Sequence, residues 1–257
     1  MSQQSEYPTL SFRHKLRGYT RLVLFAVGTL YYVSKVAVLA IFLGDDRRRA
    51  LSIRKDWANR MIQILGIKMH REGNIPTGNE LLLANHRTYI DPVLVLSECL
   101  SSVVAKAEVG KWAIIGWGMK VSHVVLVQRE NRQSRHNTRN SVKEWLDSGF
   151  SLIIYPEGTT HAGPGILPLK PGMFHMVARN NYRIVPVATS YRDPQDAWVG
   201  DDTFIRHFIQ CFGKKHVEAR VRYGEPIAGT NGEQLRKKTE HWLIENLKEM
   251  DAGWEKF

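Results

Sequence analysis

Leu22 to Leu43 is almost uninterruptedly apolar, with Lys35 its only charge. As a helix this run measures about 33 Å at ~1.5 Å per residue, enough to cross a bilayer core of ~30 Å. A chain with such a run must bury it in a core or present it to lipid. Arg13, Lys15, Arg17 and Arg21 precede the run, and Arg47, Arg48, Arg49, Arg54 and Lys55 follow it. Basic flanks on both sides give the positive-inside rule no preference. Lys35 at a bilayer centre would cost roughly 3 kcal/mol. The pattern predicts a helix embedded in one leaflet, with a single span as the alternative. A second, amphipathic helix is expected over Arg49 to Leu65, bearing Trp57, Met61, Ile62, Ile64 and Leu65. The run is too long for a cleaved signal peptide, and no small-x-small site follows it.

Charge points the same way. The formal charge is +11, and residues 1–73 hold 13 Lys or Arg against 5 Asp or Glu. The excess therefore belongs to one end of the chain, as expected for an anionic membrane or a nucleic acid. The adjoining apolar run decides for the membrane surface, and no nucleic-acid motif appears elsewhere. Cys99 and Cys211 lie far apart without ligand spacing, which excludes a disulfide framework or structural zinc site and suits a reducing compartment.

The chain divides into residues 1–73, a basic segment with membrane-associated helices, and 74–257, an α/β domain. Residues 1–17 read as loosely ordered, and Gly73 to Asn79 as the link. Beyond it, strand candidates are 81–84, 103–105, 124–127, 152–155 and 184–188, with a more exposed strand at 217–222. Helices are expected at 92–99, 111–120, 135–147 and 171–180, with a last one opened by the capping-box spacing of Thr230 to Glu233. The alternation predicts an α/β core.

Two short stretches carry chemistry. In Asn85-His86-Arg87-Thr88-Tyr89-Ile90-Asp91 an imidazole and a carboxylate stand five positions apart. A carboxylate on one ring nitrogen fixes the tautomer and stabilises the imidazolium formed when the other nitrogen takes a proton. No serine or cysteine nucleophile sits beside the pair, so the natural target is a substrate hydroxyl. On an ideal helix this spacing puts the side chains about 140° apart, so a turn or a helix start at Asp91 is needed. Asp91-Pro92 also reads as a helix N-cap and first-turn pair. Asn85 is a candidate for positioning the loop. In Tyr155-Pro156-Glu157-Gly158-Thr159-Thr160 an acidic, glycine-containing turn follows an apolar run. Arg129 ends another apolar run and can either fork onto a phosphate or terminate a strand. Lys170, just before a helix candidate, can hold an anion together with the N–H groups of that helix start. His136, His161 and His175 lack paired-ligand spacing, so no metal site is expected. Trp112 and Trp117 suit either an apolar substrate path or packing.

These blocks resemble those of the glycerolipid acyltransferases typified by lysophosphatidic acid (1-acylglycerol-3-phosphate) acyltransferase. Asn85, His86 and Asp91 match the family's N-H-x4-D block. Tyr155 to Thr159 match its aromatic-P-E-G-T-R block, Ile184 to Val187 its apolar block around a proline, and Val124 to Arg129 stand as the counterpart of the block that ends in arginine. The resemblance covers roughly residues 80 to 190. It implies a mixed β-sheet flanked by helices, behind an N-terminal hydrophobic and amphipathic membrane-anchoring element. It implies an O-acyltransferase of phospholipid biosynthesis at the cytoplasmic face of a membrane, the inner membrane in a bacterium. The acyl donor would be acyl-CoA or acyl-(acyl carrier protein), with no resident cofactor. The acceptor would be a lysolipid, most directly 1-acylglycerol-3-phosphate, giving phosphatidic acid. His86 and Asp91 would be catalytic. Asn85, Arg129, Glu157, Gly158, Thr159 and Lys170 would contact substrate.

Two blocks depart from the family pattern. Thr160 stands where the family has arginine, and His123 and Leu126 stand where its second block has glycine and phenylalanine. Both bear on a phosphate-carrying acceptor and neither on acyl chemistry, so an aminoacyl lysolipid of the lyso-ornithine or lyso-glycine type remains the alternative. A non-catalytic lipid-binding protein is the rival from another class; it would need no base, and the intact His86/Asp91 pair stands against it.

Overall fold

The computed structural model describes residues 10–108, 110, 113–128, 131–200 and 202–256. It opens with two helices, α1 (Phe12–Leu43) and α2 (Arg47–Leu65), joined by a turn at Gly44 and capped by Asp46, whose side chain accepts from the Arg49 N–H. There follow β1 (Ile67–Glu72), β2 (Leu81–Ala84), α3 (Asp91–Glu98), β3 (Ser101–Lys106), α4 (Ala113–Val121), β4 (Val125–Val127), α5 (Arg132–Asp147), β5 (Ser151–Ile154), α6 (Gly172–Asn180), β6 (Ile184–Tyr191), α7 (Phe204–Phe212), β7 (Val217–Tyr223) and α8 (Gly232–Ala252).

The described residues form one mixed seven-stranded sheet in the order β1-β7-β6-β2-β5-β3-β4. Every neighbouring pair is parallel except β6 with β7. The central strands β2 and β5 are buried along their whole length, as strands covered on both faces must be. From β2 the chain passes through α3 to β3, and from β5 through α6 to β6, in opposite directions along the sheet. Right-handed crossovers then put α3 and α6 on opposite faces. The side chains agree: Leu94 and Val95 of α3 pack with Met61 and Leu65 of α2 and Phe208 of α7, whereas Phe174 and Val177 of α6 pack with Trp145 of α5 and Leu243 and Leu247 of α8. The C-terminal ends of β2 and β5, where the crossovers diverge, make the crevice in which open α/β sheets bind ligands.

Several expectations change, and residues 12–17, expected to be loosely ordered, belong to α1. Residues 73–79 connect β1 to β2, two strands of one sheet, and β1 is not among the strands expected from the sequence. Because β1 pairs with β7, the strand over 217–223 lies between two neighbours and is mostly buried, not exposed. The apolar face of α2 also turns inward: Ala58, Met61 and Leu65 are fully buried against α3 and the sheet. The exposed apolar surface therefore lies on α1, where Phe12, Leu16, Val23, Val27, Tyr31, Ile41 and Phe42 are exposed and only Gly18, Thr29, Val33 and Val36 are buried. A Cβ at Gly18 would lie 3.1 Å from Ile209, so glycine lets α1 sit down on α7. His14, Arg17 and Arg21 donate to the last carbonyls of α7 and the turn after it: Arg17 Nη1 to Gly213 at 3.1 Å, Arg21 Nη1 to Phe212 at 3.0 Å and to Lys214 at 2.8 Å. Cations there complement the negative end of the helix. Part of the basic flank thus holds α1 along the core. The last helix is capped by Asn231, not Thr230; its side chain accepts from the N–H groups of Glu233 and Gln234.

Candidate active site

The turn after β2 brings His86 and Asp91 together. His86 Nδ1 lies 2.8 Å from Asp91 Oδ2. The same oxygen accepts from the N–H groups of Arg87 (2.6 Å) and Thr88 (2.9 Å), and Oδ1 accepts from the Tyr191 hydroxyl at 2.7 Å. Asp91 is fully buried, and four donors fill the acceptor capacity of a carboxylate. Ionised, it must accept from Nδ1–H, which leaves the Nε2 lone pair of His86 for a proton. Asp91 is not the helix cap that its place before Pro92 suggested. The cap position falls on Ile90, which has no capping side chain, and Asp91 turns back to close the 86–91 loop.

The His86 ring stacks on Tyr155, centroids 4.1 Å apart and planes at 25°. The His86 backbone N–H donates to Glu157 Oε1 at 2.7 Å, and Glu157 Oε2 accepts from the Leu167 backbone N–H at 2.8 Å. Burial raises the Glu157 carboxyl above its ordinary value, against the lowering effect of these two amides. Glu157 is therefore a clasp between the 86–91 loop and the 157–167 loop, with both oxygens engaged by backbone; the geometry does not show the direct substrate contact expected of it. Asn85 is likewise fully buried. Its amide donates to the Thr189 carbonyl (2.9 Å) and accepts from the Thr189 N–H (2.7 Å), extending the β2–β6 pairing past the strand end. It fixes where the loop begins and does not face the cavity.

Gly158 has φ +81°, and a Cβ there would meet the Lys170 side chain, 2.3 Å from Nζ. The exposed Lys170 thus lies over the glycine turn, and its N–H donates to the Pro156 carbonyl at 3.0 Å. Thr159 is exposed at the mouth of the cavity, and the Thr160 hydroxyl donates inward to the Trp198 carbonyl. Arg129, Lys111 and Trp112 lie outside the described residues. Two residues that shape the site carry no signal in the local sequence pattern. Tyr191 reaches Asp91 from the end of β6, a hundred positions away. Arg87, inside the motif, is buried, with Nη1 on the His161 carbonyl (2.9 Å) and Nη2 on the Gly165 carbonyl (2.6 Å). Burial and this guanidinium lower the His161 imidazole below its ordinary value.

Next to His86 opens a cavity of about 400 Å³. Its walls are Phe25, Tyr32 and Val33 of α1, Val93 and Leu96 of α3, and the strand β3. An apolar chamber of this kind excludes water and accepts a hydrocarbon chain.

Residues 66–190 match the family model described as Acyltransferase. A lyso-ornithine lipid O-acyltransferase of Rhizobium meliloti (strain 1021) is 28% identical over 75% of this chain and 72% of its own. A 1-acyl-sn-glycerol-3-phosphate acyltransferase of Helicobacter pylori (strain J99) is 26% identical over 67% of this chain and 71% of its own. The fold is that of the crystal structure of the 1-acyl-sn-glycerophosphate (LPA) acyltransferase PlsC from Thermotoga maritima, with a TM-score of 0.63 and 21% identity over 90% of this chain and 98% of that one. Sequence blocks and family match converge on one region: residues 66–190 match the acyltransferase family, and the chain is similar to acyltransferases over most of its length.

Proposed function

We propose that the protein transfers a fatty acyl group from an acyl thioester to the free hydroxyl of a lysolipid, with His86 as general base. The observation that carries this reading is the His86 imidazole, tied through Nδ1 to a buried carboxylate and bordering an apolar cavity through the rest of its ring. His86 Nε2 takes the hydroxyl proton as the oxygen attacks the thioester carbonyl. The tetrahedral intermediate collapses, the C–S bond breaks, and the imidazolium returns the proton to the departing sulfur. Asp91 orients the ring and stabilises its charged form. Glu157 and Asn85 act through the loop they hold. Gly158, Thr159, Lys170 and Arg129 are the residues proposed to meet the acceptor or the thioester carrier, which is coenzyme A or acyl carrier protein.

For the acceptor we favour an aminoacyl lysolipid of the lyso-ornithine type. Thr160 replaces the arginine of the family pattern and is turned inward, and the buried Arg87 is engaged by loop carbonyls. The first relatives, from Rhizobium meliloti and Brucella abortus, carry that acceptor in their names. A 1-acylglycerol-3-phosphate acceptor is the second reading, supported by the name of the Helicobacter pylori relative. The apolar face of α1 is proposed to lie in one leaflet on the cytoplasmic side, bringing the site to its lipid.

Steady-state assays with acyl-CoA and acyl-(acyl carrier protein) against lyso-ornithine lipid and lysophosphatidic acid test both levels. No transfer to either acceptor would overturn the enzymatic reading. A preference for lysophosphatidic acid, with its KM raised on the order of 10–100-fold by Arg129→Ala, would overturn the aminoacyl assignment, since a lost charge-assisted pair has that size. On the favoured reading, Thr160→Arg improves lysophosphatidic acid relative to the aminoacyl acceptor.

A further inference from the structure

Residues 161–166 read His-Ala-Gly-Pro-Gly-Ile and form no helix or strand, so their backbone must find partners elsewhere. Arg87 supplies them. Its side chain is buried, forms no ion pair among the described residues, and donates through Nη1 to the His161 carbonyl at 2.9 Å and through Nη2 to the Gly165 carbonyl at 2.6 Å. Its main chain is committed as well. The Arg87 backbone N–H donates to Asp91 Oδ2 at 2.6 Å, and its carbonyl accepts from the Trp198 backbone N–H at 2.9 Å. Beside it, the His86 carbonyl accepts from the His161 backbone N–H at 2.9 Å. One residue of the 86–91 turn thus ties the carboxylate that orients His86 to the middle of the 157–167 loop, whose ends Glu157 joins.

A further contact makes this tie conditional. Arg87 Nη1 also lies 3.2 Å from His161 Nδ1. A guanidinium carries donors and no acceptor, so this ring nitrogen has to present a lone pair. The ring is then neutral, with its proton on Nε2. An imidazolium would set an N–H against an N–H and one cation against another. The direction of the His161 shift agrees, because burial and the Arg87 charge both hold the imidazole below its ordinary value. Among the described residues, Arg87 is the charged group that faces the ring. The other ionisable groups at the loop are Glu157, on the His86 and Leu167 amides, and Lys170, over Gly158.

We infer that Arg87 is the positioning residue of the 157–167 loop, and that it holds the loop in place for the acyl acceptor only while His161 is neutral. This deepens the acyl-transfer reading and rests on it, since Gly158 and Thr159 of the loop are proposed to meet the substrate. Arg87 does not line the cavity and acts through the backbone that it holds.

The test uses the full-length protein, one lysolipid acceptor and one acyl thioester. Arg87→Met should raise the acceptor KM by roughly 10–100-fold, the size of a hydrogen bond to a charged group, and leave the thioester KM within about threefold of wild type. A fall in kcat with the acceptor KM unmoved overturns the positioning role. His161→Asn keeps a side-chain oxygen within reach of Nη1 but takes no proton. The acid limb of its log kcat/KM against pH should be shallower than that of wild type by one proton, because Glu157 and the acceptor itself titrate alike in both proteins. Superimposable limbs overturn the dependence on His161. Hydrogen exchange on the wild-type protein needs neither variant nor turnover. Corrected for the intrinsic rate, protection of the 157–167 amides should fall about tenfold, the size of one such bond, as the His161 ring, followed by its NMR signal, takes up a proton. Flat protection through that titration overturns the inference even where lysolipids are acylated. Transfer to no lysolipid overturns the acyl-transfer reading, and the exchange result then judges the tie alone.

Discussion

At the scale of single residues, the site is a buried carboxylate with four donors and an imidazole that borders the cavity. His86→Ala should lower kcat by about 10²–10⁴-fold, the usual contribution of a general base, while the thermal melt stays near wild type. Tyr191→Phe removes the donor on the far oxygen of Asp91 and nothing from the cavity. It should lower kcat about tenfold, the size of one such bond at ~1–1.5 kcal/mol, with the acceptor KM unchanged. A loss expressed in KM alone would show that Tyr191 does not act through Asp91. The sequence made His86 and Asp91 legible because both lie in one turn, and their chemistry follows from residue type and spacing. Tyr191 was not legible, because its contact is made by sheet pairing between β2 and β6 and leaves no local pattern. Glu157 was legible as an important acid but not as a clasp. That depends on which backbone amides surround it, which no side-chain pattern encodes.

At the scale of elements, every strand expected beyond residue 80 is present within a few residues, because each is a short apolar run bounded by turn residues. The two elements not foreseen fail for opposite reasons. β1 (Ile67–Glu72) reads Ile-Lys-Met-His-Arg-Glu, too polar to announce a strand, and is fixed by its partner β7. α7 (Phe204–Phe212) places Phe204, Phe208 and Phe212 four apart, a helical period, but its run was too short to stand out beside the sheet. The amphipathic reading of α2 gave the right helix and the wrong solvent, since periodicity shows that a face is apolar and not what covers it. The exposed face of α1 carries the corresponding prediction. Replacing Ile41, Phe42 and Leu43 with glutamine should reduce binding to vesicles of anionic phospholipid by several kcal/mol in sum, at ~1.5–3 kcal/mol for each fully inserted side chain. The core should keep its melting temperature, because none of the three is buried. Flotation with vesicles reads the first effect and calorimetry the second. Undiminished flotation would remove α1 from the membrane.

At the scale of the whole molecule, the two ends of the chain are locked by a cluster of charges. Glu72 of β1 accepts from Arg220 Nη2 at 2.6 Å and from Arg222 Nε at 2.7 Å on β7, and Arg222 continues to Glu249 of α8 at 2.7 Å. Burial alone would raise the Glu72 carboxyl, but the hydrogen bonds from Arg220 and Arg222 outweigh it and hold it below its ordinary value. A depressed carboxyl stabilises the fold above its unfolded-state value, and that contribution disappears as pH falls through the lower folded value. Glu72→Gln should therefore destabilise the protein at neutral pH, by about 1 kcal/mol after discounting for partial solvent exposure. In strong acid it should be close to neutral, where urea titrations of the two proteins would converge. α1 has a consequence of another kind. Phe25, Tyr32 and Val33 form the inner wall of the cavity, while Val23, Val27 and Tyr31 of the same helix face outward. One layer of side chains separates the cavity from whatever bathes the outer surface. If that medium is a bilayer, the relevant concentration is a mole fraction in two dimensions. Adding inert lipid at constant total acceptor would then slow the reaction by surface dilution, while changing the aqueous volume would not.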